Sequence, residues 1–359
     1  MRKGEIPVTN KNNSNNSQIQ STILKCCEEA LPGFSNETIE EKLSKALIEK
    51  LDTLRKNSDI LRKLQLEELE ILKELDKICR KHNLRYYIVG GTLIGAVRHK
   101  GFIPWDDDID VSMPREDFNK FIKIAKEELP SDLFLQNQKT EKKCYFYYAK
   151  LRKTGTYFPE DKFEHTPIHK GIFIDIFPLD FAPSSSLLQK LLFKGMSMLT
   201  GFICSKEKTT EFLYKNMSLP FIVSMRLVQC ILPKFFLMWM RNVLGKISNL
   251  ISDKKQVASL SGFHGYPQEI APMEFWGDGT DIEFEGFTAK APSQYERLLT
   301  HMFGDYMTLP PEEDRVNHNI DFDKVIFEGC TLDDYKPKFR RKRSHRYYSC
   351  DYDILPNKE

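Results

Sequence analysis

The sequence predicts an α/β fold of the α+β kind, a mixed sheet flanked by helices, with a helical extension before it and a helical insert within it. Three observations carry this. Short β-rich runs such as Tyr86-Tyr87-Ile88-Val89 alternate with amphipathic helical patterns such as Phe118, Phe121, Ile122, Ala125 and Leu129. Connections between them are long enough to cross a sheet. Composition is that of a globular chain, with 41% hydrophobic and 29% charged residues in 359.

Taken in order, Asn10 to Gln20 is polar and Asn-rich with little to bury, so residues 1–20 are expected to be disordered. Residues 21–58 form a helical extension broken at Pro32-Gly33, with Asn36 as a cap and Glu37, Glu40 and Glu41 at the positive end of the helix dipole. Residues 59–335 make the main domain. It opens with Leu61, Leu64, Leu69, Leu72, Leu75 and Ile78 at helical spacing, and that helix should end near Lys81-His82-Asn83. The strand Tyr86–Val89 runs into Gly90-Gly91 and a short helix through Ala96 and Val97. Ile109–Met113 reads as the next strand, followed by a helix that Pro130 closes. Further strands are expected at Leu133–Gln136, Tyr145–Arg152, Gly171–Phe177 and Ile282–Phe287, and a helix from Ser293 to Phe303 stops at Gly304. The tail, 336–359, carries the solvated basic run Phe339-Arg340-Arg341-Lys342-Arg343.

The chain begins Met1-Arg2-Lys3-Gly4-Glu5 without an apolar leader, and its eight cysteines show no Cys-x-x-Cys pair. A cytoplasmic protein with reduced thiols is expected. The net charge of +2 gives no nucleic-acid signature, because the basic excess lies among apolar helices. That excess sits in the insert, 187–250: Ser184 to Leu250 holds nine Lys/Arg against two Asp/Glu. Phe221 to Met240 is apolar at fifteen positions in twenty, yet contains Arg226, Pro233 and Lys234. Each central cation would cost about 2.5–3.5 kcal/mol in a spanning helix. An interfacial helix on the inner face of the membrane, or a helical subdomain packed on the sheet, fits better.

The chemistry concentrates in Trp105-Asp106-Asp107-Asp108-Ile109-Asp110. On a strand, Asp106, Asp108 and Asp110 share a face, with α-carbons roughly 6.5–7 Å apart. Clustered carboxylates repel unless a cation sits among them, and Mg²⁺, or Mn²⁺ in its place, is the expected counter-ion. Gly90-Gly91 before a helix lets amide N–H groups approach a phosphate, with Thr92 in the same turn. Arg98 offers a fork for anionic oxygens, while Lys100 faces solvent. Asp175, amid Ile172, Phe173, Ile174, Ile176 and Phe177, is expected to be a metal ligand or the base that takes the acceptor's proton. Lys150 and Arg152 share a strand face and, with Thr156, are candidates to grip a diphosphate; the alternative is an edge strand with its charges in water. Asp180 is read as a turn cap.

The run from Tyr87 through Gly90-Gly91-Thr92 and Arg98 to Trp105-Asp106-Asp107-Asp108-Ile109-Asp110 resembles the LicD family of phosphocholine transferases, and is similar to the fukutin family within the nucleotidyltransferase-fold superfamily. The resemblance continues at Ile174-Asp175-Ile176-Phe177-Pro178-Leu179-Asp180, Phe284-Glu285-Gly286, Gly304-Asp305-Tyr306-Met307, Leu309-Pro310-Pro311 and His318. It implies a nucleotidyltransferase-like sheet and transfer of phosphocholine from CDP-choline to a hydroxyl of a cell-surface glycan, lipid-linked in some cases, with release of CMP. By position it implies Asp106, Asp108 and Asp110 as metal ligands and Asp175 as the additional carboxylate. Arg315 and His318 would close over the donor. A choline headgroup needs an aromatic face, for which Tyr145, Tyr147, Tyr148, Phe158 and Trp276 are candidates. The alternatives are another CDP-alcohol, with ribitol- or glycerol-phosphate transferred, nucleotidyl transfer with diphosphate as product, and a non-catalytic membrane scaffold, which would have no use for the clustered aspartates.

Overall fold

The computed structural model describes residues 36–335, apart from 161–162, 164–165, 205–222, 224–226, 228–230, 263, 318–319 and 332. Pro32-Gly33, the residues expected to be disordered, the whole tail 336–359 and His318 lie outside the described residues. The chain divides into two compact units, 1–66 and 67–359. The described part of the first is helix, the N-terminal portion of α1 (Asn36–Lys81), where Leu47, Ile48, Leu51 and Leu54 are exposed. No Gly or Pro interrupts Asn36–Lys81, so one helix forms where two stretches were expected. It ends as the sequence predicts: Asn83 takes the left-handed conformation (φ 51°), and the Leu84 amide closes on the Cys79 carbonyl at 2.9 Å.

The second unit holds a mixed sheet. Its strands are β1 (Tyr87–Ile88), β2 (Asp110–Pro114), β3 (Leu133–Gln136), β4 (Ala149–Lys153), β5 (Phe173–Ala182), β6 (Gln256–Ser259) and β7 (Ile270–Pro272). The order is β1-β2-β5-β4-β3, with β6 on the later half of β5 and β7 on β6. Only the β2–β5 pairing is parallel among these. Central β5 is buried along almost its whole length, which is why it reads as an apolar run broken by two aspartates. Between β1 and β2 lies α2 (Gly90–His99); α3 (Arg115–Glu128) follows β2 and buries Phe118, Phe121, Ile122 and Ala125, the predicted face.

Three expectations are corrected. β4 runs between β5 and β3, so it is not an edge strand. The aromatic residues Tyr145 and Phe146 precede β4 and pack with Ile203 and Leu237 of the insert instead of extending the strand. Ile282–Phe287 is not one strand but the turn of a hairpin, β8 (Thr280–Phe284) and β9 (Phe287–Ala291), with Glu285 and Gly286 both at positive φ.

The described parts of the insert are α4 (Ser186–Cys204) and α5 (Lys234–Ile251). α5 is fastened to the sheet: Ser248 Oγ donates to the Phe181 carbonyl (2.7 Å), Asn249 Nδ2 to Asp180 Oδ1 (2.7 Å), and buried Arg241 to the Tyr145 carbonyl. Asp180 also receives Arg115 in a two-pronged ion pair, so it anchors the insert rather than capping a turn. The outer faces remain apolar, with Leu187, Leu191, Phe235, Trp239 and Leu250 exposed. Among the described residues α4 is the one helix long and apolar enough to cross a membrane. Beyond β7 come α6 (Met273–Trp276) and α7 (Tyr295–Phe303), which Gly304 ends as expected.

Candidate active site

The site begins with strand register. Asp110 of β2 stands opposite Asp175 of β5, Asp175 opposite Lys150 of β4, and Lys150 opposite Gln136 of β3. Register partners face the same side, so a row Asp110–Asp175–Lys150–Gln136 crosses one face of four strands. Lys150 Nζ lies 3.0 Å from Asp175 Oδ1 and 2.9 Å from Glu160 Oε1, over the Phe173 ring. Arg152 is wholly buried, donating to Glu160, Gln136 and the Gly171 carbonyl. Neither cation is left to grip a diphosphate: Lys150 neutralises the row and Arg152 locks the strands beside it. Thr156 likewise serves the backbone, accepting from the Ile172 amide and donating to the Lys153 carbonyl.

β2 starts only at Asp110, so Asp106 to Ile109 enter the site as an extended lead-in after a turn at Pro104-Trp105. The expected alternation survives without the ladder. Asp107 and Ile109 are buried, and Asp106, Asp108 and Asp110 are the partly exposed members. Burial, then the charges of Asp108, Asp175 and Asp106, push the Asp110 carboxyl well above the usual carboxylate range. Burial also raises Asp175, with Lys150 opposing.

The Gly-Gly turn meets these carboxylates directly. Gly90 has φ +58°, and a Cβ there would lie 3.3 Å from Asp110 Oδ2; a Cβ on Gly91 would come within 2.6 Å of Asp106 Oδ2. Thr92 Oγ1 accepts the Asp110 amide at 2.9 Å, and the Val89 amide donates to the Asp110 carbonyl at 3.0 Å. The start of α2 is thereby pinned against the start of β2, with no side chain capping the helix.

On another side, Arg98 and Arg315 come together from distant sequence. Arg98 Nη1 donates to the Tyr306 carbonyl (3.1 Å), while Arg315 Nε donates to the Pro310 carbonyl (2.9 Å) and its guanidinium lies 5.6 Å from the Trp105 ring centre. Burial lowers Arg98, and the Arg315 charge adds to that. Two mutually repelling guanidinium groups beside the acidic segment suit an anion.

Sequence reasoning missed Glu68. It lies on α1 within the second unit, is fully enclosed, and neither carboxylate oxygen has a hydrogen-bond partner among the described residues. Burial raises its carboxyl well above the usual range, and Asp108, Asp107, Asp106 and Asp175 raise it further. In sequence Glu68 is one of many acids on a charged helix; its inward position on the Leu69–Leu72–Leu75 side was the available signal. An enclosed carboxylate facing further carboxylates fits a hard divalent cation, which all-oxygen donors prefer. Among the described residues no three acidic, imidazole or thiol groups already form a closed ligating cluster. A cation would therefore draw the acidic lead-in together rather than enter a finished cage.

With that geometry in place, relatives are informative. The family model described as LicD/FKTN/FKRP, nucleotidyltransferase domain, matches residues 83–209, which include the turn, the acidic lead-in and Asp175. The lipopolysaccharide cholinephosphotransferase LicD of Haemophilus influenzae is 30% identical over 272 residues, covering 72% of this chain and 96% of that protein. Two uncharacterised proteins, from Rickettsia typhi and Rickettsia prowazekii, match over 73 and 55 residues at 40% and 44% identity, covering 20% and 15% of this chain and 24% and 21% of their own lengths. The chain belongs to the LicD family and is a phosphotransferase.

Proposed function

We propose that this protein transfers phosphocholine from CDP-choline to a hydroxyl of a cell-surface glycan, of the lipopolysaccharide kind on which its Haemophilus relative is named to act, releasing CMP. The observation that carries the reading is the Asp110–Asp175 pair on adjacent parallel strands, faced by the acidic lead-in and the Gly90-Gly91 turn. The acceptor oxygen bonds to the choline-bearing phosphorus as its hydroxyl proton passes to Asp175, the bond from that phosphorus to the bridging oxygen breaks, and CMP leaves with the electron pair. Asp106, Asp108 and Asp110 would hold Mg²⁺, with Mn²⁺ as a substitute and Asp175 beside them. When bound, the ion supplies positive charge to the phosphoryl oxygens and the departing CMP. Lys150 keeps Asp175 in place and opposes the rise that burial gives its carboxyl, Arg98 and Arg315 meet the diphosphate, and the Gly90-Gly91 turn lets the backbone approach it.

The metal site does not read the alcohol, so competition among CDP-choline, CDP-ribitol and CDP-glycerol tests the donor. Turnover of either polyol donor in preference to CDP-choline would overturn the choline assignment and keep the phosphotransfer. The exposed apolar outer faces of α4 and α5, with Lys190, Lys194 and Lys246 on the same helices, support a cytoplasmic enzyme resting on the inner membrane face, where a lipid-linked acceptor would be presented.

A further inference from the structure

Next to Asp110 and Gly90, a cavity of about 70 Å³ extends away from the carboxylate row. Its far wall comes from the β6–β7 connection, α6 and α7, and includes Glu269, Trp276, Leu298 and Met302. One water needs about 10–15 Å³ by this measure, so the cavity holds a handful of small groups and is too small for a nucleoside or a hexose.

Two groups of the wall lack the partners their burial demands. Glu269 is 8% exposed, and its Oε1 accepts the His264 amide at 3.1 Å; among the described residues no Lys or Arg forms an ion pair with it. Burial pushes its carboxyl up to about 7, which is the cost of an acid enclosed without a counter-charge. Gly262 permits this enclosure, because a Cβ there would fall 2.1 Å from the Glu269 carboxylate. Trp276 is 5% exposed, packs against Tyr87 at 5.6 Å between ring centres, and has an indole N–H with no acceptor among the described residues. Of the other aromatic candidates, Tyr145 is in the core beside the insert, Tyr147 donates to Asp180, and Tyr148 packs against Phe177, which lines the cavity.

A small cavity with an aromatic ring, a thioether, a branched aliphatic side chain and one uncompensated carboxylate selects a compact, weakly hydrated cation. Ser112, Ser259, His264 and Gln268 also line the cavity, so polarity alone does not turn a polyol away and the Glu269 charge must do the discriminating; a phosphate would meet that charge with like sign. We infer that this cavity is the subsite for the quaternary ammonium end of the donor, with Glu269 supplying the counter-charge and Trp276 the aromatic face. The inference rests on the phosphocholine reading and adds to it the residues that would tell choline from a neutral alcohol.

Calorimetric titration of CDP-choline, CDP-glycerol and CMP into wild-type protein, Glu269→Gln and Trp276→Phe tests it. Glu269→Gln keeps the shape and an acceptor for the His264 amide. Its affinity for CDP-choline should fall by about tenfold or more, while CDP-glycerol and CMP shift by less than about twofold. Trp276→Phe, which keeps an aromatic face of weaker quadrupole, should show a smaller loss with the same selectivity. In turnover, Glu269→Gln should raise KM for CDP-choline more than it lowers kcat. Equal CDP-choline affinity in wild type and Glu269→Gln overturns the subsite alone. A fall in kcat at unchanged KM, with loss of a pH limb near neutrality, would make Glu269 a proton acceptor and also overturns it. Wild-type protein that binds CDP-glycerol but not CDP-choline overturns both this subsite and the phosphocholine reading.

Discussion

At the scale of residues, the site is a problem of charge. Asp106, Asp107, Asp108 and Asp175 all raise Glu68, whose oxygens meet no donor, and Lys150 is shared by Asp175 and Glu160. Glu68→Gln should therefore stabilise the protein in the absence of divalent cations, because an enclosed acid no longer faces its neighbours' charges. If the cation reading holds, the same substitution should shrink the rise in Tm that Mg²⁺ gives the wild type, a comparison that thermal melts with and without Mg²⁺ make directly. A mutant as unstable as a core cavity variant, with an unchanged Mg²⁺ shift, would show that Glu68 is only packing. Glu160 behaves oppositely. Burial would raise it, but Arg152 and Lys150 hold its carboxyl down at about 2. Its folded value lies below the unfolded one, so its stabilisation is present above about pH 4.5 and lost as pH falls toward about 2. Acid melts should show this loss in the wild type and a smaller one in Glu160→Gln. The aspartates and the two glycines were legible in the sequence because their residue types leave few other uses at that spacing. Glu269 was not, since a lone Glu in a loop carries no mark of being enclosed, and Glu68 carried only its place on the apolar side of a helix rich in acids.

At the scale of elements, register does most of the positioning. The parallel β2–β5 pairing sets Asp110 beside Asp175, and the antiparallel β4–β5 pairing adds Lys150 to the row. Lys150→Met should cost about 3–5 kcal/mol, because it leaves Glu160 and Asp175 enclosed without their shared cation; urea melts measure it, and a loss below about 1 kcal/mol would mean the pair is solvated in solution. The start of α2 depends on the absence of two side chains. Gly91→Ala places a methyl 2.6 Å from Asp106 Oδ2, so CMP release should drop sharply while the far-UV spectrum is retained. Strand positions were readable wherever apolar alternation was local, as at β2 and β3. They were misread where tertiary packing decided. Tyr145 and Phe146 have strand propensity but are claimed by the insert's apolar cluster, and β4 reads in sequence equally as an anion grip or as an edge because its charges find buried partners only in the assembled sheet.

At the scale of the molecule, the second unit combines a charged site on its sheet with a helical insert whose inner side is bound to β5 and whose outer side stays apolar. The sequence showed the insert's composition but left packing and membrane contact level. The structure shows that α5 packs on the sheet and that apolar side chains on the outer faces of α4 and α5 are exposed. Leu191→Glu with Phe235→Glu should reduce flotation with anionic liposomes by about tenfold without lowering Tm, since both side chains are exposed. Retained flotation would place membrane contact elsewhere in the chain.

In the proposed reaction, the Asp110–Asp175 row with its acidic lead-in would carry cation-assisted phosphocholine transfer. The most direct measurement is CMP release from CDP-choline by the full chain, with Mg²⁺ and with chelator, for wild type, Asp108→Ala and Asp110→Ala. Release should require Mg²⁺ and fall by about a hundredfold or more in both variants, with Tm unchanged or higher because a repelled acid has been removed. Release that persists in chelator, or survives both substitutions, would contradict it.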